Sequence, residues 1–339
     1  MVTANEVNDA IASVKPLSAA LATARQEAGE GALVVAWLSD LHLHARSDYK
    51  DISLSFYASQ VDASANLQLA LTEVGALAPA ADLLILGGDL ADYGFHKEAP
   101  AGEYEELKSI LDAHLPAGLP TLPLLGNHDH VYALSADQNQ VLARLRRPDW
   151  PLPAEDDDYY YETHHSGWRF IALDSRQTGL LSDRQREWLR ERLSKADNTP
   201  AIVLVHRPFV SVGNWVDHCR LEDRRTFDII DQAPQVRAIL SGHTHKTAGW
   251  QYRRKIHVVF PSTAYGIGDT CGWGCLVLSK QNVHSVFIKE LAADTFESVQ
   301  RSSQQREGNF RKLPTPLFES SELCDPCTLP QRPDPAARD

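Results

Sequence analysis

Cysteine is scarce in this 339-residue chain: there are five, an odd number spread over a long sequence. A secreted disulfide framework is therefore not expected. No apolar run approaches the ~20 residues that a membrane-spanning helix needs. Positive charge is in deficit, with 33 Lys and Arg against 45 Asp and Glu and a formal net charge of -12. Such a balance gives no general attraction to nucleic acid, and without a basic stripe a DNA nuclease is disfavoured. It does not exclude a small anionic substrate, because bound cations can reverse the local field. The opening residues, Met1-Val2-Thr3-Ala4-Asn5-Glu6, have neither a basic n-region nor an apolar segment, so no signal peptide is expected. No internal repeat is visible. These absences point to a cytoplasmic protein with neither a membrane nor a nucleic-acid partner, and they leave a homo-oligomer open.

What is present suffices for a large core, since 43% of the residues are hydrophobic. One large domain with extensions fits that content. Residues 1–30 read as an N-terminal extension, alanine-rich and interrupted at Pro16. Residues 31–290 read as the domain, and 291–339 as a polar, then proline-rich, extension ending in a mobile tail. Inside the domain, five apolar segments read as buried strands: Leu33 to Leu38, Leu83 to Leu86, Leu122 to Leu125, Ile202 to Val205, and Val236 to Leu240. Between them, Leu67, Ala70, Leu71 and Val74 keep helical spacing, as do Tyr104, Leu107 and Leu111. Ser182 is a suitable N-cap for a helix through Leu193. Strands alternating with helices predict an α/β fold. Segments from Ile256, Cys275 and Val283 onward predict further strands, enough for a second sheet.

Each of the five strands ends in Asp, Asn or His at its carboxyl side. In α/β sheets ligands bind beyond those ends, so five strand ends converge on one crevice. The polar sets are Asp40-Leu41-His42, Gly88-Asp89-Leu90-Ala91-Asp92, Gly126-Asn127-His128-Asp129, the single His206, and Gly242-His243-Thr244-His245. Any one could be structural. As an ordered set they offer oxygen and imidazole donors suited to borderline divalent metals such as Mn, Fe or Zn.

That set resembles the calcineurin-like metallophosphoesterase superfamily over about residues 33–290. The stretch Leu173-Asp174-Ser175, with Gly179 to Ser182 and Gln185, Trp188 and Leu189, resembles class III cyclic-nucleotide phosphodiesterases. The resemblance implies a β-sandwich flanked by helices, in αββα layers, holding two divalent ions. It places one ion on Asp40, His42, Asp89 and His245, and the other on Asp89, Asn127, His206 and His243, with Asp89 bridging. A carboxylate can give one oxygen to each of two cations about 3.5–4 Å apart. It implies that His128 protonates the leaving oxygen or, with Asn127, binds the phosphoryl group, and that Asp92 orients His128. The implied reaction is hydrolysis of a small phosphodiester, such as the cyclic nucleotide cAMP, by in-line attack of a metal-bridging hydroxide. A glycerophosphodiesterase, a phosphomonoesterase and a non-catalytic scaffold of the same fold are the alternatives. Asp92 stands where purple acid phosphatases carry a metal-binding Tyr, which argues against that group. Arg207 stands where the family often has a second His.

Other polar residues read as rim or structure. His44, Arg46, Tyr49 and Lys50 follow the first motif in a loop that could touch substrate, and His130 reads as a rim residue. His164 and His165 read as a solvated turn, and Asp174 as a structural hydrogen-bonding group. Residues 131–167 read as a long insertion, with Glu155 to Asp158 as a solvated face. Cys271, Cys275, Cys324 and Cys327 are read as unlinked thiols or one local disulfide, with a structural zinc site as the alternative.

Overall fold

The computed structural model describes residues 2–43, 61–92, 100–130, 150–151, 159–175, 179–194, 197–209, 223–252, 255–266, 270–293 and 296–300. Two six-stranded sheets pack face to face. In the first, β1 (Leu33–Leu38), β2 (Leu83–Leu86) and β3 (Thr121–Pro123) run parallel. On the far side of β1 the sheet continues antiparallel through β10 (Gly272–Leu278), β11 (Val283–Glu290) and β12 (Phe296–Gln300). The second sheet has the order β4 (Tyr161–His165), β5 (Trp168–Leu173), β6 (Ala201–Val205), β7 (Val236–Ser241), β9 (Lys255–Val259), β8 (Ala248–Tyr252). Its centre, β5-β6-β7-β9, is parallel.

Alternation along the second sheet shows how the layers form. Phe170, Ala172, Ile202, Leu204, Ala238 and Leu240 join the core shared with the first sheet. Ile171, Leu173, Val203, Val205 and Ile239 point the other way. There they meet α5 (Asp183–Ser194) and α6 (Arg224–Asp231) through Leu189, Leu193, Phe227 and Ile230. Strands buried on both faces read as continuous apolar runs rather than alternating ones. Trp37 on β1 stacks on Phe260 just beyond β9, with ring centroids 5.0 Å apart, tying the sheets together.

The helices α1 (Ala4–Ser13), α2 (Lys15–Ala28), α3 (Ala63–Gly75) and α4 (Pro100–His114) complete the remaining layer. Thr3 and Glu6 form a reciprocal cap at the start of α1. Pro16 falls in the first turn of α2, where no N–H is needed. Residues 4–28, expected as an extension, thus bury Leu17 and Leu21 completely in the main core. Glu73 of α3 is a buried junction. It accepts from Ser13 Oγ (2.8 Å), Trp273 Nε1 (2.6 Å) and the Ala292 N–H (2.9 Å), and it pairs with Lys289 Nζ at 3.2 Å. Every donor there meets an acceptor, the condition under which a buried charge is tolerated.

Several sequence expectations shift. His164 and His165 close β4, and the turn is Ser166-Gly167, both with positive φ. Part of the expected 131–167 insertion is core: Trp150, Tyr159, Tyr160 and Tyr161 are buried, and β4 pairs with β5. The first sheet runs past residue 290 through β12. His44, Arg46, Tyr49, Lys50, the run Glu155 to Asp158, Cys324, Cys327 and the tail from 301 lie outside the described residues. Cys271 and Cys275 are free thiols. Among the described residues no helix is long and apolar enough to cross a membrane.

One buried imidazole makes the stability of this fold depend on pH. His257 on β9 is buried against the Phe227 ring. Burial, with Lys255 adding to it, pushes its pKa down to about 3. Above pH ~6.5 the imidazole is neutral in both folded and unfolded chains. Between ~6.5 and about 3 the unfolded chain takes up a proton that the folded chain refuses. Stability therefore falls with pH over that window, by about 1.4 kcal/mol per unit for this group. The variant His257→Leu should lose about 2 kcal/mol less than the parent between pH 7 and pH 5. Urea melts at the two pH values measure this, and equal losses would rule it out.

Candidate metal centre

The site lies beyond the carboxyl ends of β1, β2, β3, β6 and β7. The loops after β1 and β2 are zipped together: Asp40 N–H donates to Gly88 O and His42 N–H to Asp89 O, both at 2.9 Å, and Asp92 N–H donates to Leu43 O at 2.8 Å. After β6 and β7 the Gly242 N–H donates to His206 O at 2.9 Å. Seven non-glycine residues among those described have positive φ, and five of them are Asp40 (52°), His42 (42°), Asp89 (49°), His243 (72°) and His245 (53°). Such backbone is unfavourable for residues with a Cβ and concentrates at functional sites. Gly88, at φ 95°, has no such choice: a Cβ there would lie 2.6 Å from His206 Nδ1.

The donors face one another. Asp89 Oδ2 is 3.1 Å from His206 Nε2 and 3.8 Å from His42 Nε2. Asp40 Oδ1 is 3.4 Å from His245 Nε2 and 3.9 Å from His206 Nε2. His42 Nε2 and His245 Nε2 approach to 3.0 Å. The tautomers follow from the other ring nitrogens. His206 Nδ1 donates to Gly87 O at 2.8 Å, and His245 Nδ1 to Tyr265 O at 2.9 Å. His42 Nδ1 donates to the Asp92 carboxylate at 2.8 Å. Carbonyls and carboxylates accept, so each Nδ1 carries its proton, and each Nε2 turns a lone pair inward.

Neutral His42 and His245 would therefore set lone pair against lone pair, a conflict that a proton or a cation between them removes. Burial alone would lower the His42 pKa, but Asp92, Asp89 and Asp40 carry it up to about 9. At His206 burial is likewise overcome, by Asp89 and Asp40, again to about 9. His245 goes the other way, to about 4, because burial outweighs Asp40. Asp89 stays ionised: burial would raise its pKa, but His206, His128 and His42 hold it well below the usual range. Asn127 Oδ1 and both ring nitrogens of His243 are buried without a hydrogen bond. The Asn127 oxygen and the one unprotonated nitrogen of neutral His243 are therefore orphaned lone pairs, which are costly to bury and are what a cation needs. Asp40, His42 and His245 form one group of convergent donors, and Asp89, His206 and His243 another. The residues present fit a pair of divalent ions.

His128 points differently. Its main-chain N–H donates to Asp89 Oδ1 at 2.8 Å, and its Nδ1 donates to the main-chain oxygen of Asp92 at 2.8 Å. The Asp92 carboxylate, expected to orient His128, is 3.6 Å from that ring but 2.8 Å from His42 Nδ1. Its shorter contact is thus to the ring of a candidate ligand, the arrangement that fixes a metal-bound imidazole.

Sequence reasoning missed the residue that organises these loops. Asp129 is buried, and its carboxylate accepts from Gly126 N–H at 2.8 Å, from Leu90 and Ala91 N–H at 3.1 Å, and from Tyr104 Oη at 2.8 Å. It locks the loop bearing Asn127 and His128 to the loop bearing Asp89. Its place directly after the Gly-Asn-His run was the available signal. Ser39, whose Oγ donates to Asp40 Oδ2 at 2.6 Å, was missed as well.

A sandwich of two sheets with paired Asp/His donor groups at its strand ends has the donors suited to a two-metal site. A family model for calcineurin-like phosphoesterases matches residues 33–247. The chain belongs to that family and is a phosphoric ester hydrolase. It is 29% identical over 241 residues to a 3',5'-cyclic-nucleotide phosphodiesterase of Nostoc sp., covering 68% of this chain and 78% of that one. It is 24% identical over 241 residues to the glycerophosphodiester phosphodiesterase GpdQ of Enterobacter lignolyticus, covering 69% and 79%. Among solved structures, a dimetal phosphatase from Danio rerio superposes with a TM-score of 0.55 at 14% identity, over 80% of this chain and 99% of that one. This last likeness concerns the fold.

Proposed function

We propose that this chain hydrolyses a small phosphodiester, a 3',5'-cyclic nucleotide in the first instance. The observation that carries the reading is the convergence of inward-facing imidazole Nε2 atoms, their outer nitrogens already committed, on the carboxylates of Asp40 and Asp89. In this reading Asp40, His42, Asp89 and His245 hold one divalent ion and Asp89, Asn127, His206 and His243 the other. Mn, Fe or Zn suits the mixed oxygen and nitrogen donors. Bound there, the pair supplies positive charge to phosphoryl oxygens and acidity to water. The chain's own residues do the rest. The carbonyls of Gly87 and Tyr265 and the carboxylate of Asp92 aim three imidazoles inward. The Asp92 carbonyl holds His128 Nδ1–H, so Nε2 is the nitrogen that passes a proton to the leaving oxygen. Asn127 and His128 contact the phosphoryl group.

Preference for a diester is supported by the two named relatives, one a cyclic-nucleotide and the other a glycerophosphodiester phosphodiesterase. A cytoplasmic location fits the free thiols of Cys271 and Cys275, and a homo-oligomer is compatible with the reading. The test is a kcat/KM screen of protein stripped with a chelator and reloaded with Mn, comparing cAMP, cGMP, glycerophosphodiesters and phosphomonoesters. Chelation should abolish hydrolysis and diesters should lead. A monoester preference would overturn the diester assignment, and full activity without metal would overturn the metal assignment.

A further inference from the structure

One polar bridge at the strand ends lies outside the donor set. His130 follows His128 by two residues and is largely buried, with its side chain 12% exposed. Its Nε2 lies 2.7 Å from Oδ1 of Asp174, the first residue beyond β5. Asp174 is itself buried and held at several points. Its other carboxylate oxygen accepts the Tyr159 N–H at 3.0 Å. Its main-chain N–H donates to Gln185 Oε1 at 2.8 Å, and its main-chain oxygen accepts from Gln185 Nε2 at 3.0 Å. Gln185, on α5, is fully buried. The acceptor is therefore fixed to the second sheet and its helix layer, whereas His130 belongs to the loop after β3 of the first sheet.

We infer that His130 is a positioning residue, clamping the loop that carries Asn127 and His128 to the second sheet through Asp174. The inference rests on the role proposed above for His128. Asp129 ties that loop to its neighbours in the first sheet. The donors His206, His243 and His245 stand on the second. The His130–Asp174 bridge ties the loop directly to the half of the site that His128 does not share a sheet with, beyond the base of β3 where Tyr161 Oη donates to Pro123 O. A displacement of about 1 Å in a catalytic group can cost ~10²-fold in rate, so one hydrogen bond at this place has kinetic leverage.

The substitutions must separate the bridge from the bulk of the ring. His130→Phe keeps an aromatic ring and removes the donor. His130→Gln restores an N–H donor at comparable reach. With full-length Mn-loaded protein, His130→Phe should lower kcat by about 10-fold or more on an alkyl phosphodiester. It should change kcat little on a nitrophenyl ester, whose leaving group needs no proton, and metal content should not change. His130→Gln should recover most of the loss. Hydrogen exchange supplies a readout independent of turnover. The His128 N–H, which donates to Asp89 Oδ1 at 2.8 Å, should exchange faster in His130→Phe than in the parent and be protected again in His130→Gln. Unchanged exchange, equal losses on both esters, or a His130→Gln variant as impaired as His130→Phe would each overturn the clamp. A parent protein inactive on every ester but showing the exchange pattern would keep the clamp and overturn the phosphodiesterase reading instead.

Discussion

Asp89→Ala should leave a folded protein that binds neither ion and hydrolyses nothing above background. Asp89 is buried and lies within reach of ligand nitrogens on both sides of the site: Oδ2 is 3.1 Å from His206 Nε2 and 3.8 Å from His42 Nε2. Its other oxygen accepts the His128 N–H at 2.8 Å. One truncation therefore removes the proposed shared ligand and loosens the proposed acid. The loss in kcat/KM should exceed the ~10²–10³-fold typical of deleting a single electrostatic stabiliser. His42→Ala should deplete mainly one ion, because in the proposed ligand set it serves only the ion held with Asp40 and His245. Elemental analysis of the two variants beside the parent decides the matter. Equal residual metal in Asp89→Ala and His42→Ala would show that Asp89 does not bridge.

The second large effect is expected at His128 and depends on the leaving group. A nitrophenolate departs without a proton, whereas a ribose alkoxide is far more basic and needs one as the bond breaks. General acid assistance is typically worth ~10²–10⁴-fold. His128→Ala should therefore lose that factor on alkyl diesters and much less on nitrophenyl esters, with metal retained. Asp92→Asn keeps the main-chain oxygen that holds His128 Nδ1, so it should show little of this selectivity and should mainly lower metal content, because the carboxylate is 2.8 Å from His42 Nδ1. Comparable losses of His128→Ala on both ester types would mean that this imidazole binds the phosphoryl oxygens and donates no proton.

The strands that carry the site were legible because they are buried on both faces and therefore uninterrupted in hydrophobicity. Leu33 to Leu38 and Leu83 to Leu86 match β1 and β2 residue for residue. The donor motifs were legible because they sit where those runs stop. What escaped lacked such a pattern. β4, Tyr161–His165, is an edge strand with two histidines, and its composition suggests a turn. α6 is short and begins with two arginines, so its apolar stripe of Phe227 and Ile230 is brief. In the site, residue types were readable but pairings were not. Local spacing could suggest that Asp92 serves His128, but it could not show that the carboxylate lies nearer His42. Nor could it show that Asp174 reaches His130 across 44 positions of sequence.

The division of the donors between layers has a thermodynamic corollary. Asp40, His42, Asp89 and Asn127 extend from the first sheet, and His206, His243 and His245 from the second. A cation gathering both sets recognises the docked sandwich and has much weaker affinity for a chain whose layers have separated. Ligand occupancy and global folding are then linked equilibria. Free ion at 100 times its dissociation constant shifts the unfolding equilibrium by about 2.7 kcal/mol. With the proposed ions bound, part of the resistance to denaturation becomes a property of the surroundings, set by the chemical potential of a divalent ion in addition to packing within the chain.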